Sequence, residues 1–271
     1  MALELTQRVR TSRGEIAFDV LGEGPPVVLV HGTPSRASVW RQVAPALADA
    51  HRVYVFDLLG FGDSERHLDQ EVSVAVHGRV LAELIGLWEL VDPAVVAHDI
   101  GGATALRAHL VEGVAFAKIA LLDAVVLRPW ITPTTRQMQR RVGRYGSLPD
   151  PALADSIREH LGGATSRPLA PEAFDELFGQ WAGARGQALY LRNLAQLDES
   201  DTEVLEPLLA SISVPVLILW GAEDAWLPVA TSSRIAAAIP GARRVVVPDA
   251  GHFSMADQPR AVAAALRRFL A

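Results

Sequence analysis

The stretch Val95-Val96-Ala97-His98-Asp99-Ile100-Gly101-Gly102 decides the fold of this chain. Its first residues are apolar without alternation, which predicts a strand over Ala94–His98 that is buried on both faces, and a helix is predicted to follow over Gly101–Gly113. Ala97 and Gly101 are small, as a sharp strand-to-helix turn requires, because larger side chains there would collide with the turn. We therefore expect an elbow that presents the Asp99 side chain above a sheet, at the N-terminus of a helix.

Outward from this elbow, short apolar runs alternate with amphipathic segments, and we expect a single helix over one of these, Ala37–Ala48. This alternation predicts an α/β fold with a doubly wound, mostly parallel sheet. The first two strands alternate polar and apolar residues around Arg13-Gly14, which predicts an antiparallel hairpin at the sheet edge. After Asp123 the strand pattern stops, and only helical patterns follow until strands resume. The sequence thus predicts a core domain formed by 1–123 and 214–271, with a helical cap inserted at 124–213 after the sixth strand.

Composition narrows the class of protein. The chain has 271 residues, no cysteine and a net charge of −6 from 25 basic and 31 acidic residues. We therefore expect no nucleic-acid partner, no disulfide and no thiol nucleophile. The N-terminus has no signal-peptide pattern and no apolar run is long enough to span a membrane, so we expect a cytoplasmic protein without a membrane partner. The remaining expectations are a small-molecule substrate, a monomer or homodimer, no cofactor and no metal. The histidines outside the motifs show no metal-ligand spacing, so we expect them in solvated positions: His51, His67, His77, His109 and His160.

Five short motifs occur in a characteristic order. They are His31-Gly32-Thr33-Pro34, the segment DLLGFGDS at 57–64, the Asp99 elbow, the segment GAED at 221–224, and Gly251-His252-Phe253. In this order and spacing the chain resembles the α/β-hydrolase family, and specifically its branch with an aspartate nucleophile. Epoxide hydrolases and haloalkane dehalogenases are members of that branch. The resemblance covers nearly all of the chain outside the cap.

The resemblance implies a role for each motif. Asp99 would be the nucleophile, because a carboxylate is already anionic and forms an ester with a saturated carbon that water can cleave. His252 would be the general base for that water, and Asp224 the acid that orients the imidazole. The backbone N–H groups of Thr33 and Ile100 would form the oxyanion hole.

Each of these residues also has a simpler interpretation. Asp99 could cap the following helix, Asp224 could be a turn residue, and His252 could be a surface histidine. Asp123, at the end of the sixth strand, could supply the acid in place of Asp224. A serine nucleophile is disfavoured, because no serine lies between glycines two positions away on both sides and the elbow itself holds an aspartate.

The leaving group is indicated by the residues around the nucleophile and in the cap. Haloalkane dehalogenases generally carry Trp after the nucleophile, whereas this chain has Ile100, which has no side-chain donor for a halide. Epoxide hydrolases resemble this chain in the His31–Pro34 loop and carry cap tyrosines that protonate the epoxide oxygen. Tyr145 and Tyr190 lie in the cap, where they are candidate proton donors or packing residues.

Four further residues are candidates for the pocket. Trp130 and Trp181 are cap tryptophans, which could pack, line the pocket or donate an indole N–H to a halide. His31 and Pro34 belong to the first motif. Together the residues favour a hydrolase that opens a small or medium epoxide to a diol through an ester on Asp99. A dehalogenase with an atypical halide site is the second interpretation, and a ligand-binding protein of the same fold is the third.

Overall fold

The computed structural model describes residues 3–145 and 151–271, and it gives only the backbone of residues 141–145 and 152. Its centre is one sheet of eight strands in the order β1-β2-β4-β3-β5-β6-β7-β8. The strands are β1 (Gln7–Thr11), β2 (Gly14–Leu21), β3 (Pro26–Val30), β4 (Arg52–Phe56), β5 (Ala94–His98), β6 (Lys118–Leu122), β7 (Val216–Gly221) and β8 (Arg243–Val247). β2 pairs antiparallel with β1 and β4, and every later pair is parallel. The predicted fold class and the edge hairpin are confirmed.

Helices connect the strands and cover both faces of the sheet. The α-helices are α1 (Ala44–Ala48), α2 (Val74–Leu87), α3 (Ile100–Leu110), α4 (Pro133–Tyr145), α5 (Pro151–Gly162), α6 (Pro171–Phe178), α7 (Gly183–Ala195), α8 (Ser200–Glu203), α9 (Ala230–Ala238), α10 (Ser254–Asp257) and α11 (Pro259–Leu270). Three short 3₁₀ helices lie at Ala37–Trp40, Gly179–Trp181 and Glu206–Ser211. The helices α4 to α8 lie between β6 and β7 in the chain, where the sequence predicts the cap.

The single helix expected over Ala37–Ala48 is wrong. A 3₁₀ turn ends at Trp40, and α1 begins separately at Ala44 with Pro45 in its first turn. Proline has no N–H group and restricts the residue before it, so it suits a helix start better than a helix interior. The apolar spacing alone did not reveal this break.

The central strands are buried on both faces, which explains their continuous apolar sequence. Every residue of β5 is buried, as are Val27–Val30 of β3. Because parallel strands share a direction, the loops after β3, β5, β7 and β8 meet at one edge of the sheet. That edge carries the motifs identified in the sequence. Among the helices of the described residues, none has the length and apolar content needed to cross a membrane.

Candidate active site

Asp99 sits on a strained elbow between β5 and α3. Its backbone angles are φ 52° and ψ −125°, a conformation that non-glycine residues rarely adopt. Two glycines permit the tight packing around it: a Cβ on Gly32 would lie 2.5 Å from Asp99 Oδ1, and one on Gly101 would lie 2.5 Å from the His31 carbonyl. The Asp99 side chain makes no capping hydrogen bond to α3. Its carboxylate is therefore directed towards the neighbouring loops and away from the helix.

The structure brings Asp99, Asp224 and His252 together in one buried chain of contacts. His252 Nδ1 lies 3.0 Å from Asp224 Oδ2, and His252 Nε2 lies 3.4 Å from Asp99 Oδ2. Asp224 Oδ1 accepts hydrogen bonds from the backbone N–H groups of Trp226 and Leu227, which hold the carboxylate in place. His252 is buried, so the interpretation of this residue as a surface histidine is wrong.

The charge on His252 depends on its two carboxylate neighbours. Burial alone would lower the pKa of the imidazole, but the charge and hydrogen bond of Asp224, together with those of Asp99, outweigh it and raise the pKa to about 10. His252 is therefore an imidazolium at neutral pH. Any reaction that removes the charge on Asp99 also removes part of what stabilises this proton.

The loop after β3 supplies a backbone donor to the nucleophile candidate. The N–H of Thr33 donates to Asp99 Oδ1 at 2.7 Å, and Ile100 is the first residue of α3, where backbone N–H groups have no partner within the helix. His31 supports this loop from behind, since its Nε2 accepts the Leu58 N–H at 2.8 Å and its Nδ1–H donates to the Gly32 carbonyl. Burial lowers the pKa of His31, which fits a neutral structural imidazole.

Asp123 is occupied by other partners. Its Oδ1 accepts the Gly221 N–H at 2.6 Å, and its Oδ2 accepts the Ser254 hydroxyl at 2.5 Å. Burial, followed by the nearby charge of Asp224, raises the pKa of Asp123 well above its usual range. Asp123 is therefore hard to ionise, and its two hydrogen bonds connect β6 to β7 and to α10. Of the two acid candidates, only Asp224 contacts His252 among the described residues.

A narrow cavity opens above Asp99. It offers about 30 Å³ to the centres of water molecules, enough for roughly two of them. Apart from Thr33, Pro34 and Asp99, its walls come from the cap and from the loop after β7: Trp130, Ile131, Thr132, Thr135, His160, Tyr190, Leu194, Leu197, Trp226 and Leu227. The walls are mostly apolar, as expected of a site that binds a small organic molecule.

Tyr190 contributes the one phenol that the structure describes at this cavity. It is 1% exposed, and its hydroxyl has no hydrogen-bond partner among the described residues. Its ring packs edge-on against Trp181 at 5.5 Å, so it is a packing residue as well. Burial raises the pKa of the phenol, which keeps it protonated. The side chain of Tyr145, the other candidate, lies outside the described residues.

The four pocket candidates divide into two pairs. Pro34 and Trp130 line the cavity, whereas His31 and Trp181 are not among its lining residues, so the expectation for that second pair is corrected. The indole N–H of Trp181 donates to the Pro34 carbonyl at 2.6 Å, and that of Trp130 donates to the Thr202 hydroxyl at 3.0 Å. Both groups are therefore engaged within the protein, which removes them as halide donors.

Several cavity residues could not be named from the sequence, and two of them, Trp226 and His160, lie next to His252 or to each other. Trp226 lies two positions after Asp224, and its ring is 4.8 Å from that of His252. His160, on cap helix α5, stacks on Trp226 with ring centres 4.6 Å apart and planes 9° apart. Trp226 follows Asp224 in the loop after β7, and this position could have indicated that it lies at the site. Nothing in the sequence pattern around His160 distinguishes this residue from a solvated helix residue. His51 and His77, also expected in solvent, are buried.

Comparisons with known proteins agree with this geometry. A family model described as the alpha/beta hydrolase family matches residues 27–265. An alpha/beta hydrolase fold protein from Burkholderia ambifaria has a similar structure, with a TM-score of 0.94, 36% identity and 98% of each chain covered. The chain belongs to the alpha/beta hydrolase family.

Curated relatives are more distant. Epoxide hydrolase A of Mycobacterium tuberculosis is 30% identical over 295 residues, covering 91% of this chain and 90% of the relative. Haloalkane dehalogenase 2 of the same organism is 28% identical over 273 residues, covering 94% of this chain and 91% of the relative. The protein is thus a hydrolase of this family. In the described part of the chain, no group of three or more His, Cys, Asp or Glu side chains is placed so that it could hold a metal ion.

Proposed function

We propose that the protein hydrolyses a small epoxide to a diol through an ester formed on Asp99. The observation that carries this proposal is that Tyr190 lines the same cavity as Asp99 and has a buried hydroxyl without a hydrogen-bond partner among the described residues. A carboxylate nucleophile and a neutral phenol are the two groups that ring opening requires. One attacks carbon, and the other donates a proton to the departing oxygen.

In the first half of the reaction, Asp99 Oδ2 attacks a ring carbon and the carbon–oxygen bond of the epoxide breaks. The electron pair goes to the ring oxygen, which takes the proton from Tyr190. Asp99 Oδ1, which accepts the Thr33 N–H, becomes the carbonyl oxygen of the ester. The raised pKa keeps Tyr190 protonated and makes the phenol a weaker acid, but an alkoxide is a stronger base than a phenolate, so proton transfer to the developing alkoxide is still favourable.

In the second half, a water molecule attacks the carbonyl carbon of the ester. His252 is protonated at rest, but the ester carries no charge, so the proton is held less firmly and can return through solvent to the Tyr190 phenolate. The neutral imidazole then takes a proton from the attacking water, and Asp224 stabilises the imidazolium that results. The oxyanion forms on Asp99 Oδ1 at the Thr33 and Ile100 N–H groups. Its collapse breaks the bond between the Asp99 carbon and the ester oxygen, and that oxygen takes the proton left by water on the Asp99 carboxyl group, directly or through His252. The diol is released, Asp99 is again a carboxylate and His252 is again protonated.

A haloalkane dehalogenase is the second candidate, and one observation favours it. Trp226 lines the cavity, and its indole N–H donates to no described residue, so it could face a departing halide. A second donor would normally be needed, and the indoles of Trp130 and Trp181 are engaged elsewhere. A ligand-binding protein without turnover is the third candidate, and it gives no role to the short contacts between Asp99, His252 and Asp224.

Replacing Tyr190 with Phe tests the proposal, because it removes only the hydroxyl. We expect the rate of opening of propylene oxide to fall by about 100- to 10,000-fold, the usual contribution of a general acid. Displacement of bromide from a short bromoalkane, if the protein catalyses it, needs no proton and should change little. Diol and halide release are the measurements, and the matched control is Tyr54→Phe in β4, whose ring packs against Trp88 in the core. Unchanged epoxide turnover in the Tyr190 variant would remove this residue from the mechanism.

A further inference from the structure

The catalytic cavity has a neighbour on the cap side. A groove of about 470 Å³ lies between helices α4 and α5 and the loop after β7. Only His160 and Trp226, among the described residues, line both the cavity and this groove. Their stacked rings therefore form the wall between the two spaces.

The cavity is too small for most organic substrates as it stands. Its 30 Å³ compares with the roughly 150 Å³ of an apolar protein cavity that binds benzene. A substrate larger than a few atoms must therefore displace part of the wall. Pro34 and Trp130 are held by hydrogen bonds to or from cap residues. The His160 side chain is held by its stack on Trp226 and bonds to no other described side chain or backbone group.

We propose that the stacked rings of His160 and Trp226 are the entrance to the catalytic cavity, and that the outer groove binds the unreacting part of the substrate. This inference rests on the proposed function, since it assumes that the reacting carbon reaches Asp99. It makes His160 a residue that determines specificity. The reactive end of the substrate is small, and a second portion remains on the outer side of the two rings.

The groove indicates the chemistry of that second portion. Its polar lining consists of hydroxyl, amide and carboxylate side chains: Thr134, Gln137, Ser156 and Glu159. Glu159 is the charged residue among the described lining residues, apart from the titratable His160. An anionic group would be repelled, whereas a neutral hydrogen-bonding group or a cation would be favoured.

His160 adds no positive charge to this entrance at neutral pH. Burial, and then the like charge of His252, lower the pKa of His160 to about 4. The stack is therefore a contact between two uncharged rings. An uncharged epoxide can pass it without displacing an ion pair, and a positive substrate is not repelled by His160 itself.

The entrance is tested with His160→Ala, which joins the cavity to the groove. We expect kcat/KM for styrene oxide to rise by about tenfold, mainly through a lower KM, while kcat/KM for propylene oxide changes by less than about twofold. The matched control is His67→Ala, which removes the same atoms from a side chain that is 59% exposed and lines neither space. Equal changes for the large and small epoxides, or none, would overturn the proposal.

The groove is tested with Glu159→Lys. We expect kcat/KM to fall by about tenfold for glycidyltrimethylammonium and to rise for glycidate, with propylene oxide turnover unchanged, and both charge effects should shrink in high salt. If the two charged epoxides respond alike, the groove does not bind the substrate.

A failed entrance can be told apart from a failed reaction. Binding of the two product diols, 1-phenylethane-1,2-diol and propane-1,2-diol, needs no turnover and is measured by calorimetry. If His160→Ala tightens binding of the phenyl diol alone while no variant opens an epoxide, the entrance stands and the proposed reaction fails. If epoxides are opened but neither turnover nor diol binding responds to His160→Ala, the entrance fails and the reaction stands.

Discussion

Asp99 and His252 form a pair whose charges depend on each other. The two side chains lie 3.4 Å apart, and the negative charge of Asp99 contributes to the raised pKa of His252. In the proposed reaction, an ester on Asp99 would remove that contribution, and the imidazole would become a better proton donor and then a base. The change in protonation is therefore tied to the formation of the intermediate.

At the scale of residues, the sequence was informative where short motifs fix the backbone. The elbow around Asp99 could be located because small residues flank it, and His252 and Asp224 follow late strands in the expected order. Tyr190 was a candidate only by its residue type and its place in the cap. His160 could not be found, because its position depends on how α5 packs over Trp226, which helical periodicity does not determine.

At the scale of elements, the loop His31–Pro34 is attached to the cap. The Pro34 carbonyl accepts the indole N–H of Trp181 at 2.6 Å and the side-chain amide of Gln180 at 3.2 Å. Gln180 Oε1 in turn accepts the Gly62 N–H at 2.6 Å. The short helix at Gly179–Trp181 therefore positions the loop that carries Thr33.

Trp181→Phe is expected to weaken this attachment. It leaves one donor fewer for the Pro34 carbonyl, so we expect a loss of about 1–3 kcal/mol in the free energy of unfolding, together with a lower kcat. Urea unfolding and epoxide turnover measure the two effects. The control is Trp88→Phe, because the indole nitrogen of Trp88 has no hydrogen-bond partner among the described residues and its loss breaks no such bond. If the Trp181 variant loses no more stability or activity than the control, the hydrogen bond from Trp181 to Pro34 contributes to neither stability nor catalysis.

Elements were predicted best where burial is complete. The strand Ala94–His98 was placed correctly to the residue, since a strand buried on both faces has an unbroken apolar sequence. The segment Ala37–Ala48 was not, because the Pro45 break changes the backbone without changing the apolar pattern. The helices of the cap were recognisable one by one, but their packing over the site depends on contacts between distant segments.

At the scale of the whole molecule, buried neutral histidines should make the fold sensitive to acid. Burial, and then the charges of His31 and Arg192, lower the pKa of His77 to about 3. The unfolded chain binds a proton at this residue below about pH 6.5, whereas the folded protein does not until about pH 3. The stability contribution is therefore complete above pH 6.5 and declines as the pH falls towards 3.

His77→Leu should reduce this acid sensitivity. Between pH 6.5 and pH 5, we expect His77 to lower the free energy of unfolding of the wild-type protein by at most about 2 kcal/mol. The variant lacks this contribution, so its free energy of unfolding should fall by that amount less than the wild-type value over the same pH range. Urea unfolding at pH 7 and pH 5 measures the difference. His67→Gln, at a largely exposed histidine, should leave the pH dependence unchanged. Parallel pH profiles for the wild-type protein and the His77 variant would contradict this account.

In the proposed mechanism, water attacks an ester on Asp99 and does not attack the epoxide directly. It is tested most directly by running many turnovers of propylene oxide in water enriched in oxygen-18 and then measuring the mass of the peptide that contains Asp99. We expect heavy oxygen to enter the Asp99 carboxylate, because the first diol released from each enzyme molecule carries an oxygen that came from the protein. Heavy oxygen found in the diol from the first turnover onwards, with none in the peptide, would contradict it.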